Sequence, residues 1–172
     1  MSKVASRGKA TNNDDKYYDL KVSLRLESIN GMKEANVLEC FAGKGVLWDA
    51  VQKKSDIKIK RYKIDVNEFE GIDLLADSLG VIRKKNIHGF DVIDLDSWGS
   101  PVKHLDILFK KKYKGIVHCT YCTPMSFTPD KILMDNYFDI DYSMTRRSPA
   151  LFSKKLAEII LAYLKNNGVN EV

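Results

Sequence analysis

Apolar runs with β-branched character alternate along this chain with segments whose apolar residues recur at helical spacing. Asn36-Val37-Leu38-Glu39-Cys40-Phe41 reads as a buried strand, followed by a helix from near Gly45 to about Lys54. A second strand covers Ile57 to Ile64, with Ile and Lys alternating up to Tyr62. The short segment Ile72-Asp73-Leu74-Leu75 precedes a helix from about Ser78 to Lys85. Gly89 to Leu95 predicts a strand, Val102 to Lys112 a helix, and Gly115 to Thr120 another strand. In the last helix, about Pro149 to Asn166, Leu151, Phe152, Leu156, Ile159, Ile160, Tyr163 and Leu164 recur at helical spacing, and Asn167-Gly168 stops it. Residues 1 to about 15 are small, polar and mixed in charge, and predict a loose tail ahead of one domain over 16–172.

Strand and helix in regular alternation imply an α/β fold: a mostly parallel sheet with right-handed crossovers and helices on both faces. In such sheets a ligand lies beyond the carboxyl ends of the strands, where the strand order reverses. Candidate chemistry is therefore expected just after the first strand, the second strand and the strand ending at Leu95.

Composition narrows the class. A chain of 172 residues with 44% hydrophobic side chains has room for one domain with a real core, which excludes disorder as the main state. No apolar run approaches the roughly 20 residues of a membrane span. The start, MSKVASRGKATNNDDK, lacks the apolar stretch of a secretory signal, and three cysteines make no disulfide framework, so a cytoplasmic protein is expected. Net charge is +5, with basic clusters at 58–63, 83–85, 110–114 and Arg146-Arg147. Together these point towards a nucleic-acid partner, although each alone is compatible with a solvated helix end.

The first strand leads into Glu39-Cys40-Phe41-Ala42-Gly43-Lys44-Gly45. Its two glycines allow a tight turn and close approach of backbone to a ligand, yet the loop is neither an ATPase phosphate loop nor a full dinucleotide fingerprint. Glu39 would repel a pyrophosphate but suits a ligand with an ammonium group, such as S-adenosylmethionine. Asp65, at the end of the second strand, is placed to accept from ribose hydroxyls. Asp77 follows Leu74-Leu75-Ala76 and could accept from an adenine amino group or cap the next helix. After Leu95 comes Asp96-Ser97-Trp98-Gly99-Ser100-Pro101. Methylating a base amino group needs acceptors on its N–H bonds and a clamp on the ring. Asp96 and the Ser97 carbonyl supply acceptors, and Trp98 a stacking face. The structural alternative is a turn with Asp96 capping a helix and Trp98 buried.

The run Phe90-Asp91-Val92-Ile93-Asp94-Leu95-Asp96-Ser97-Trp98-Gly99-Ser100-Pro101, followed by Leu105-Asp106, resembles the tRNA guanine-N2 dimethyltransferase family, whose members carry Ile-Asp-Leu-Asp-Pro-Phe-Gly-Ser-Pro. The similarity extends to Met144-Thr145-Arg146-Arg147-Ser148 and the final helix. It implies a Rossmann-like class I methyltransferase sheet with S-adenosylmethionine as cofactor. By the resemblance, cofactor contacts fall at Glu39, Phe41, Ala42, Gly43, Gly45, Asp65, Val66, Asp77, Ser78 and Asp94, and catalytic roles at Asp96, Ser97 and Trp98, with Trp98 in place of the family Phe and Ser97 in place of its Pro. The antiparallel strand pair that ends such sheets is not found after the last helix, so the strand at 115–120 is expected at an edge, covered by the following loop, a second copy or a partner subunit. A DNA amino-methyltransferase and a non-catalytic cofactor-binding or scaffold subunit are the alternatives. Cys119-x-x-Cys122 has no second pair and predicts no metal site. Cys40 reads as a core side chain, and His88 and His104 as surface residues.

Overall fold

The computed structural model describes residues 15–97, 99–121, 131–138 and 140–170. Five strands form one sheet: β1 (Glu34–Glu39), β2 (Lys58–Asp65), β3 (Leu74–Leu75), β4 (Val92–Leu95) and β5 (Ile116–Cys119). Their order is β3-β2-β1-β4-β5, and all four pairings are parallel. This is the expected Rossmann-like sheet, with its switch point between β1 and β4. β5 ends the sheet among the described residues.

The helices are α1 (Asp15–Ser28), α2 (Val46–Lys53), α3 (Ser78–Lys84), α4 (Val102–Lys110), α5 (Lys131–Tyr137), α6 (Tyr142–Arg147) and α7 (Pro149–Asn166). Period-two alternation divides each central strand between two cores. Leu38, Ile64, Ile93 and Leu95 pack with Ile82 of α3, Leu105 and Leu108 of α4, and Tyr163 and Leu164 of α7. Ala35, Val37 and Val92 face the other way, against Val22 of α1, Ile29 just beyond its end, and Trp48 and Val51 of α2. Cys40 is buried, as expected, and no helix among the described residues is long and apolar enough to cross a membrane.

Strand and helix positions follow the sequence pattern closely, with one large omission. Helix α1 begins where the tail was expected to end and has no clear apolar period. Its inward positions, Val22, Arg25 and Ile29, are fully or almost fully buried, yet one is a guanidinium, while Tyr17, Leu20 and Leu24 face solvent. The short helices α5 and α6 were also not anticipated.

The turn from β1 into α2 requires glycine for two different reasons. Gly43 and Gly45 both have left-handed φ, +52° and +72°. A Cβ at Gly43 would meet nothing within 4 Å, whereas one at Gly45 would lie 2.3 Å from a guanidinium nitrogen of Arg61. Gly43→Ala should therefore lose only the left-handed backbone term of about 1–2 kcal/mol. Gly45→Ala should lose that and also displace Arg61. Urea unfolding of the two variants checks this: a clearly larger loss at Gly45 is expected, and equal losses would contradict the contact.

Candidate active site

At the carboxyl end of the sheet, register brings four polar residues into one row. Glu39 lies opposite Lys63 on β2 and opposite Asp94 on β4, and Asp94 lies opposite His118 on β5. The row shares the face of Val37 and Val92, under α1 and α2. Glu39 and Asp94 are adjacent carboxylates with only 3% and 4% of their surface exposed. Burial of like charges side by side is strongly unfavourable unless each is paired.

Each has its own guanidinium. Arg61 donates from Nε to one oxygen of Glu39 at 2.7 Å and from Nη2 to the other at 3.0 Å, and it also holds the Gly45 carbonyl and Asp49. Arg25 grips Asp94 in the same fashion, at 2.7 and 2.8 Å, and the Trp48 indole N–H donates to Asp94 at 2.6 Å. The sequence reading placed Glu39 against a ligand ammonium and Asp94 among the cofactor contacts. In the structure the Arg61 fork donates once to each oxygen of Glu39, and Asp94 accepts three bonds from within the protein.

Helix α1 reaches these strands through a polar stripe. Lys21, Arg25 and Ser28, at i, i+4 and i+7, contact Asp96, Asp94 and His118 in turn. Lys21 Nζ lies 2.6 Å from Asp96 Oδ1, and the Thr120 hydroxyl donates to the same oxygen. Asp96 Oδ2 has no protein donor among the described residues, and the side chain is 22% exposed. One oxygen of Asp96 is thus clamped, and the other accepts no bond among the described residues. Ser97 is buried, with its N–H on the Leu95 carbonyl. Trp98 lies outside the described residues.

The remaining acids stand at the ends of β2 and β3. Asp65 accepts from the Gly43 N–H at 2.9 Å on one oxygen and from the Asn67 N–H at 2.8 Å on the other, so the end of β2 and the glycine loop are tied together. The Asn67 side-chain amide also donates to that second oxygen, at 3.3 Å, so a lone pair remains on the oxygen that Gly43 holds. Ala42 is held by its N–H on the Ile64 carbonyl, and Val66 is 65% exposed beside Asp65. Asp77 is the N-cap of α3, accepting from the Leu79 N–H at 3.2 Å, which is the structural alternative weighed for it.

His104 was missed. Expected at the surface, it is 8% exposed in the first turn of α4, hydrogen-bonded through Nε2 to Ser78 at 3.0 Å and edge-on to Phe41 at 5.2 Å. Burial lowers its pKa. Phe41 and Ser78, two of the expected cofactor residues, thus meet through a histidine that no motif marked. His88 is exposed, as expected. Cys119 is exposed on β5, and Cys122 lies outside the described residues.

Comparison with known proteins gives a partial match. No protein-family model matches the chain. A tRNA (guanine(26)-N(2))-dimethyltransferase from Methanococcus maripaludis strain C5 is 34% identical over 76 residues, covering 44% of this chain and 20% of that protein. Another protein of that name from Methanococcus maripaludis is 36% identical over 52 residues, 30% of this chain and 14% of the relative. The chain thus spans a fifth or less of the length of these curated relatives. Among solved structures, a putative class I S-adenosylmethionine-dependent methyltransferase from Listeria monocytogenes aligns with 48% of this chain and 30% of its own, at 18% identity and TM-score 0.37.

The row across the sheet makes two predictions. Arg25→Ala leaves Asp94 buried with only the indole donor, and should cost about 3–5 kcal/mol in urea unfolding. Adding Asp94→Leu should recover part of that loss, and a further full-sized loss would show that the pair is not coupled. The second concerns pH. Burial, with Arg25 adding to it, lowers the His118 pKa to about 4, so stability from this group is lost as pH falls from about 6.5 towards 4. Burial raises Glu39 to about 7 against the pull of Arg61, so its contribution falls as pH rises from about 4.5 to 7. The two slopes oppose each other. Glu39→Gln should therefore leave a protein destabilised by acid, and His118→Gln one destabilised as pH rises, each by no more than about 1.4 kcal/mol per pH unit. Identical pH profiles for the two variants would contradict this.

Proposed function

We propose that this protein is an S-adenosylmethionine-dependent methyltransferase acting on an exocyclic amino group of a nucleic-acid base, with guanine N2 of tRNA as the first substrate to test. The observation that carries the reading is Asp96: one carboxylate oxygen fixed by Lys21 and Thr120, the other open at the switch point. The partial similarity to tRNA (guanine(26)-N(2))-dimethyltransferases supports the choice of base.

The residues present fit such a cofactor. Asp65 offers an oxygen lone pair for a ribose hydroxyl beside a glycine loop that it already anchors. The pocket wall would come from Phe41, His104 and Ser78, and Val66 would lie along the adenine. Glu39 serves the fold in this reading, holding Arg61 across the glycine turn. When bound, the cofactor supplies an electrophilic methyl group.

The protein's own part is positioning and charge. A base amino group is planar because its lone pair is delocalised into the ring. An N–H donated to Asp96 Oδ2 localises that pair and aims it. After transfer the nitrogen carries one proton too many, and Oδ2 stands where it can take it. Lys21 holds the carboxylate in place before the substrate arrives.

Labelled methyl transfer to total tRNA and total DNA tests the activity and separates the substrates. Asp96→Ala should reduce transfer at least about a hundredfold while leaving cofactor affinity near wild type. Asp65→Ala should weaken cofactor binding by about 1–3 kcal/mol in isothermal titration. Transfer that survives Asp96→Ala would overturn the reading.

A further inference from the structure

The chain's basic clusters fare differently once folded. Lys58 and Lys60 pair with Glu34, and Arg61 is spent on Glu39 and Asp49, so the cluster at 58–63 is largely neutralised. The clusters at 83–85 and 110–114 are not. They close α3 and α4, which pack side by side, and Lys111 Nζ donates to the Lys85 carbonyl at 2.7 Å, bringing the two runs together. Arg83 lies near enough to Lys110 to oppose its charge.

Both helices run back from the carboxyl edge, so this cluster sits at the opposite pole of the sheet from Asp96. The nine residues of α4 alone place about 13 Å between the two ends. Arg83, Lys84, Lys112 and Lys114 are exposed and make no ion pair among the described residues, and Lys110 alone has an acid, Asp106. The two runs hold seven cations and no acid, so the rest of the chain has net charge −2 against +5 for the whole. Complementing the helix dipoles accounts for a cation in each last turn, but not for Lys112 and Lys114 beyond the end of α4.

The pole opens into a groove. A cavity of about 440 Å³ lies along α3, lined by Ala76, Asp77, Gly80, Val81, Lys84 and Lys85. It leads from the lysines to the N-cap aspartate at the carboxyl edge. Gly80 leaves its floor open, since a Cβ there would meet nothing within 4 Å. We propose that the Arg83–Lys85 and Lys110–Lys114 pole, with the groove along α3, binds the phosphodiester backbone of a nucleic acid.

The alternative for a basic pole is an anionic membrane. None of the exposed large apolar side chains falls in 83–85 or 110–114, so the pole has nothing to insert among lipids. A phosphodiester chain needs only spaced cations and a track. The inference does not depend on methyl transfer and is tested by binding alone.

Fluorescence anisotropy with a labelled RNA hairpin of about 20 base pairs, a matching DNA duplex, and vesicles of phosphatidylserine and phosphatidylcholine supplies the test. Substituting Arg83, Lys84, Lys112 and Lys114 by Gln should weaken hairpin binding at least about tenfold near 100 mM salt and make the slope of log affinity against log salt shallower by about 3. Substituting Lys53, Lys54, Lys154 and Lys155 by Gln should do neither. Gly80→Glu adds one negative charge to the groove at a helix position that tolerates it, so it should melt no lower than wild type and bind the hairpin several-fold more weakly, while Gly80→Gln should bind as wild type. A preference for hairpin or duplex identifies the source of the backbone, and either supports the proposal. Equal losses from the two quartets, no salt-dependent binding by the wild type, or vesicle binding without nucleic-acid binding would overturn it. Loss of methyl transfer with these affinities intact would count against the proposed activity and leave this surface standing.

Discussion

Two carboxylates stand side by side in the interior of this protein, one on each strand of the switch point, and the structure around them is organised to neutralise them. Glu39 and Asp94 are neighbours in parallel register, and neither reaches bulk water. Removing one charge from such an arrangement costs more than the pairing contributes, because the partner is left buried and uncompensated. The guanidinium of Arg61 therefore has to cross from β2 to β1, and in crossing it closes over the glycine turn. That of Arg25 has to come from α1, and in coming it docks that helix on the sheet.

This arrangement divides the acids at the carboxyl edge into two kinds. Glu39 and Asp94 are each gripped by a guanidinium inside the protein. Asp65 and Asp96 have no guanidinium: backbone N–H groups and the Asn67 amide hold the first, Lys21 and Thr120 hold one oxygen of the second, and the other oxygen of Asp96 accepts no bond among the described residues. Acceptors fixed before a ligand arrives need little reorganisation when it does, which is what a reaction governed by positioning requires. The α1 stripe supplies the partners of Asp94 and Asp96 alike, so one helix face serves both the core and the candidate site.

The strands were legible because β1 and β4 are covered on both sides and read as continuous apolar runs, a pattern peculiar to parallel sheets. Helices α2, α4 and α7 were legible from their apolar stripes. Helix α1 was not, since a buried arginine and a lysine occupy positions where an apolar period would be sought, and Leu20 and Leu24 point to solvent. The candidate acids stand out by their position after strands, but their partners are distant in sequence: 22 residues separate Glu39 from Arg61 and 69 separate Arg25 from Asp94. Nothing in the local sequence of His104 distinguishes a histidine packed on Phe41 from one in solvent. Likewise, the basic clusters looked alike until the fold paired one and joined two others.

A crystal structure with S-adenosylhomocysteine bound tests the central division most directly. The account predicts ribose hydroxyls within about 2.7–3.2 Å of Asp65, with the Arg61–Glu39 and Arg25–Asp94 forks unbroken. A ligand ammonium seated on Glu39 with Arg61 displaced, or a ribose away from Asp65, would contradict it.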